Sequence, residues 1–147
     1  QEEAERAGRR LGIYFLRGEN RLLRFGDATL NIGGVDWRRG PRVAPGAERL
    51  LVAGATNLLL CHNPNGFDDA AAQGWAVTLS GHTHGGQVAM DVFNCDINPA
   101  RFFTPYVHGL YRKGQNSLYV TRGIGTVGLP ARIGAPPEIA LVRLCAI

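Results

Sequence analysis

The chain is short of the residues that mark a cross-linked or membrane-embedded protein. It has only three cysteines, Cys61, Cys95 and Cys145. An odd number at irregular spacing gives neither a disulfide framework nor a paired-cysteine zinc module, so buried free thiols are expected. No apolar run approaches the roughly 18 residues of a membrane helix, and no signal-like segment is present, so a soluble chain with no membrane segment is expected. Lysine is almost missing: 15 of the 16 basic residues are arginine, spread along the chain for a net charge of +4. Without an aromatic-interleaved basic strip, no nucleic-acid partner is expected. The only methionine is Met90 and residue 1 is Gln, from which we expect further chain upstream.

What is present suits one domain with a core: 147 residues, 45% of them hydrophobic. Glycine is in surplus, at 20 residues, which predicts many tight turns and close backbone approaches. Residues 1–10 are charged and read as the tail of a surface helix ending at Gly8 or Gly12. Residues 11–16 then read as a short apolar strand. Residues 21–25 and 28–35 predict a hairpin across Gly26-Asp27, where Asp27 is a turn residue and not a ligand. Asp36 ends that strand, on the surface or at the rim of a site. The basic loop 38–42 is a weak candidate for contact with an anionic substrate.

Residues 45–51 predict a short helix opening at Pro45. Residues 58–62, Leu-Leu-Leu-Cys-His, read as a buried strand closing on a histidine, and residues 75–80 as the next strand. Between them residues 67–73 have Asp68 and Asp69 in the first turn and Gly74 just past the end, as a two-turn helix should. Residues 57–80 are thus a βαβ unit, in which sites form at the carboxyl ends of the strands. His62 and His82 both fall at such ends. Residues 86–116 read as irregular apart from a short strand at 87–90, and residues 117–121 and 139–144 as two further strands.

The stretch with the clearest chemistry is Gly81-His82-Thr83-His84-Gly85-Gly86-Gln87. Imidazole is the commonest protein metal ligand, and two histidines two residues apart on extended backbone project to one side. His62, on the neighbouring strand end, adds a third, whereas His108 is read as structural. A zinc-finger reading that adds Cys61 is disfavoured because Cys61 and His62 should face opposite ways on their strand. Arg122, just after a predicted strand, is a candidate for binding phosphoryl oxygens, with Arg132 behind it. The glycines and Gln87 bring donors to a substrate or only shape the loop.

Residues 58–88, LLLCHNPNGFDDAAAQGWAVTLSGHTHGGQV, closely resemble the calcineurin-like metallophosphoesterases, especially a bacterial branch that often has a membrane or export signal. The resemblance continues through residues 106–111, 119–125, 130–132 and 136–139, and so covers nearly the whole chain. It implies an α/β fold, the four-layer α/β/β/α sandwich of that family. It also implies two divalent metals, Zn, Mn or Fe, about 3.5 to 4 Å apart, acting on a phosphomonoester or phosphodiester. His62 and His82 would ligate one metal and His84 the other, with Arg122 as a substrate-binding residue. The family's amino-terminal aspartate and histidine, its bridging aspartate and its asparagine-histidine pair do not occur in residues 1–147. The resemblance therefore implies a C-terminal half-domain, with carboxylates and general acid supplied by a missing N-terminal half or a second chain. Alone it should be nearly inactive and prone to self-association. Its alternative role is a non-catalytic association module, and compartment, substrate and metal identity are not legible.

Overall fold

The apolar runs on either side of Gly26-Asp27 close on each other as an antiparallel hairpin in the computed structural model, which describes residues 2–37, 39–92 and 95–145. Strand β1 (Glu19–Phe25) pairs with β2 (Ala28–Val35) with Phe25 opposite Ala28. Gly26 takes the positive φ, 60°, that the first position of this turn requires. Ahead of the hairpin, α1 (Glu2–Arg10) has acidic residues in its first turn and Arg9 and Arg10 in its last, matching the helix dipole.

Residues 11–16 are not the strand that their apolar character predicts. The N–H groups of Leu11, Gly12 and Ile13 are spent on Gly8 and Arg9 carbonyls as the helix closes, and Gly12 adopts a φ of 77°. The remaining residues form no ladder among the described residues and leave Leu11 and Tyr14 exposed.

The predicted βαβ unit forms as β3 (Thr56–Cys61), α2 (Phe67–Gln73) and β4 (Val77–Ser80), with β3 and β4 parallel neighbours. A single 3-10 turn, Ala47–Leu50, stands where the helix at 45–51 is expected. The excursion after β4 is more regular than expected. It holds a small hairpin of β5 (Met90–Val92) and β6 (Cys95–Ile97), and then β7 (Gly109–Lys113) turning into β8 (Asn116–Val120). Strand β8 lies parallel beside β4, giving a six-stranded sheet in the order β1-β2-β3-β4-β8-β7. The four central strands are parallel and only the two edges antiparallel. Residues 139–144 are the second expected strand that does not form. Their alternation of apolar side chains finds no strand to pair with among the described residues, and Ile139 and Leu141 stand almost fully exposed.

One face of the sheet is covered. Leu59 and Cys61 pack with Val43, Ala47, Ala70 and the fully buried Trp75, while Leu118 and Val120 pack under Phe67. Gly33 sits where a Cβ would overlap the Trp75 ring, so the absence of a side chain lets the indole lie flat on β2. The opposite face carries Leu23, Leu30, Ile32, Leu58, Leu60, Val77, Leu79, Tyr119 and Leu110, which share a side by register. Of these only Leu58 is buried.

Of the three cysteines, Cys61 is a buried free thiol as expected, whereas Cys145 is free but exposed. It follows the extended, uncovered segment 139–144, where nothing is available to bury it. The Cys95 side chain and Arg38 lie outside the described residues. Among the described residues no helix is long and apolar enough to cross a membrane.

Candidate metal centre

The parallel strands deliver the site residues to one edge. His62 follows β3 directly, His82 lies two residues beyond β4, and Thr121 and Arg122 follow β8. The strand ends are tied together: Gly81 N–H donates to the His62 carbonyl at 3.2 Å and Thr121 N–H to the Ser80 carbonyl at 2.9 Å. His62, His82, His84 and Arg122 line one open cavity of about 530 Å³. The His62 and His82 rings meet edge to face with centroids 5.1 Å apart, and Trp37 stands 6.1 Å from His82 at the rim. Among the described residues no three histidine, cysteine, aspartate or glutamate side chains converge as a ready cage for one ion.

His62 and His82 are held toward the form that donates a lone pair. Partial burial, then the neighbouring His82 and His84, hold His62 below its ordinary value, and partial burial followed by His84 does the same for His82. Both rings are therefore neutral at pH 7. The Cys61 thiol is engaged elsewhere: it donates to the Asn63 carbonyl at 3.4 Å, and burial pushes its ionisation up.

The histidine loop is strained and firmly held. His82, His84 and Gln87 have φ of 72°, 53° and 56°, and they are the non-glycine residues with positive φ among the described residues. Such backbone persists where surrounding contacts over-determine it. Those contacts come from the excursion after β4 and from the loop after β8. Thr83 Oγ1 donates to the Val107 carbonyl at 2.6 Å, and the buried Asn98 donates to the Gly85 carbonyl at 3.0 Å. Glycine is required at 86, with φ of 89°, because a Cβ there would overlap the Asn98 amide. Gln87 faces away from the cavity and clasps the later loop. Its amide donates to the Val127 and Leu129 carbonyls and accepts from Val127 N–H.

Arg122 lies under the loop, where a Cβ on Gly85 would come within 2.8 Å of its Cγ. Glu138 pairs with its Nε at 3.9 Å, and Tyr119 donates to the same carboxylate at 2.6 Å. At that separation Nε makes no hydrogen bond within the described residues, although it is buried. Asp36 is a surface anchor, since Arg17 grips both its oxygens, at 2.8 and 3.0 Å.

What the sequence left out of the site is its scaffolding. Thr83 ties the loop outward to the Val107 carbonyl, while Asn98 and Arg132, the latter read from sequence only as a secondary phosphoryl-binding candidate, hold the Gly85 and His84 carbonyls.

No family model matches the chain, and no solved structure matches it significantly. Curated proteins do match. The chain is 34% identical over 137 residues to the uncharacterized protein YpbG of Bacillus subtilis, covering 91% of this chain and 49% of that protein. It is 36% identical over 88 residues to the uncharacterized metallophosphoesterase YkuE of Bacillus subtilis, covering 60% and 30%. It is 34% identical over 93 residues to the phosphodiesterase YaeI of Escherichia coli, covering 63% and 33%. The chain thus spans about half or less of the length of the curated relatives it matches.

Proposed function

The chain belongs to the calcineurin-like metallophosphoesterase family, and on that premise we propose that it supplies the histidine half of a dinuclear site that cleaves phosphomonoesters or phosphodiesters. The observation that supports this most is the grouping of His62, His82 and His84 around one cavity at the carboxyl edge of the parallel strands. Imidazole ligands suit Zn, Mn or Fe, and His62 and His82 are held from protonation by partial burial and their neighbouring rings. Following the family resemblance, His62 and His82 are assigned to one metal and His84 to a second; among the described residues no three such side chains form a cage for one ion. Metals held by these histidines would supply Lewis-acid polarisation of a phosphoryl oxygen and activation of water at neutral pH. Arg122, with a buried Nε that Glu138 approaches without a hydrogen bond, is assigned to binding phosphoryl oxygens.

Residues 1–147 are assigned to the C-terminal portion of a four-layer domain. Parallel strands are ordinarily covered on both faces, and here one face is only partly covered, with Leu16 lying over Gly34 and with Leu60 and Leu110 exposed. A second layer, from an N-terminal half or another chain, would cover it and bring the carboxylates and the general acid. The reading is tested by titrating Zn, Mn or Fe into the purified chain and assaying a chromogenic phosphodiester. Weak metal binding that falls with each of His62→Ala, His82→Ala and His84→Ala, with little turnover, is expected. Metal binding untouched by all three substitutions would overturn the site, and robust histidine-dependent turnover would overturn the half-site.

The open face also favours a second reading, in which the chain is a non-catalytic association module. That reading expects partner binding that survives loss of all three histidines.

A further inference from the structure

Arg132 sits on the loop after β8, where the sequence made it only a secondary candidate for phosphoryl oxygens, and its guanidinium is directed at the histidine loop. Its Nη1 donates to the His84 carbonyl and to the Ala135 carbonyl, each at 3.1 Å. Nη2 donates to the carbonyls of Arg122, at 2.9 Å, Gly123, at 3.1 Å, and Gly125. Nε donates to the same Gly125 carbonyl at 3.0 Å. One planar fork therefore gathers five backbone carbonyls from two loops, which a lysine, with one nitrogen on a flexible stem, cannot match.

The Gly125 carbonyl is also the partner of His84, whose Nδ1 lies 3.0 Å away. A carbonyl oxygen only accepts, so this contact is a hydrogen bond only if Nδ1 holds the proton. In the neutral ring the lone pair then lies on Nε2. We propose that Arg132 is a positioning residue, which by fixing the Gly125 carbonyl and the His84 backbone together selects the Nδ1–H tautomer of His84 and presents Nε2 as the metal donor. This rests on the metal role assigned above to His84, and it follows the general rule that a ligating histidine is oriented by the partner of its other nitrogen. His84 needs such help because its backbone, at φ of 53°, lies in a region that a non-glycine residue rarely holds unaided.

The test is long-range proton–nitrogen NMR of the metal-free 147-residue chain, labelled at histidine and recorded near pH 8.5, about two units above the usual imidazole value. Wild-type His84, assigned by its loss in His84→Ala, is expected as the Nδ1–H tautomer alone. In Arg132→Gln it becomes a mixture of tautomers, while His62 and His82 keep their wild-type signals. A merely structural arginine would not move one ring selectively. Arg132→Lys retains the charge but not the fork and should also give a mixture. If Arg132→Gln does not fold, as judged by its amide spectrum, Arg132→Lys is read in its place. An Nε2–H tautomer in the wild type, or a pure Nδ1–H tautomer kept in a folded variant, overturns the proposal. Zinc titration separates this from the metal reading: the tautomer result stands or falls without metal, whereas affinity should drop about 10- to 100-fold in Arg132→Gln if both hold.

Discussion

His82 and His84 give up backbone comfort for the placement of their rings. A non-glycine residue at φ of 72° costs roughly 1 kcal/mol or more relative to glycine. His82→Gly should therefore be about 1 kcal/mol more stable than His82→Ala in urea denaturation, while both lose whatever metal the wild type holds. Equal stability of the two would mean that the loop relaxes and stores no strain. Burial separates two of the thiols in the same way. Native-state alkylation followed by peptide mapping should label Cys145, which is exposed, and spare Cys61, which is buried with its ionisation pushed up. His82 and His84 stood out as candidates because glycine-flanked imidazoles at a two-residue spacing have few other uses, and His62 because it closes the neighbouring buried strand. Gln87 was only half legible: its amide ends on the Val127 and Leu129 backbone, and an acceptor forty residues away leaves no trace in a local pattern.

At the level of elements, the site depends on the join between α2 and the sheet. Gly33→Ala pushes a methyl group into the fully buried Trp75 ring and should cost about 1 to 3 kcal/mol, read as a lower urea midpoint with an unchanged slope. A cost near zero would show that the indole has room to move. On the outer side, Lys113 of β7 meets Asp68 of α2 at 2.7 Å, and Tyr106 donates to the same carboxylate. The Lys113 hydrogen bond, against partial burial and with help from Tyr106, holds Asp68 below its ordinary value. A depressed carboxylate adds stability above its unfolded value and loses it as pH falls through the folded one. Asp68→Asn should thus cost under about 1 kcal/mol at pH 7, the pair being half exposed, and the cost should fade below about pH 4. A pH-independent difference would place the effect in packing. The βαβ unit was legible because capping, helix length and apolar runs agreed. Residues 11–16 and 139–144 misled because an apolar run reports β-propensity, whereas a strand also needs a neighbour. Strand β7 was missed for the converse reason: Gly109–Lys113 is weakly patterned and is held by its register with β8.

The whole molecule is a sheet finished on one side. Trp75, Phe67 and α2 cover one face, while Leu60 and Leu110 stand 40% and 59% exposed on the other, with Leu30, Ile32, Val77 and Leu79 half covered between the edges. An exposed apolar face was expected only through the half-domain that the family resemblance implied, since composition alone cannot tell an inward leucine from an outward one. A contiguous apolar face of this kind is rare on a stable monomer, and a net charge of only +4 gives little electrostatic resistance to association. The chain should therefore self-associate in sedimentation experiments and bind an apolar dye. Paired Leu30→Glu and Leu60→Glu substitutions should shift it to monomer and reduce dye binding while the far-ultraviolet circular dichroism is retained. Both positions are only partly buried, and neither belongs to the Trp75 and Phe67 clusters that hold the covered face. If the wild type stays monomeric at every concentration and leaves the dye dark, then the open face is covered by the chain's own extended segments in solution. The case for a second layer would then fail with it.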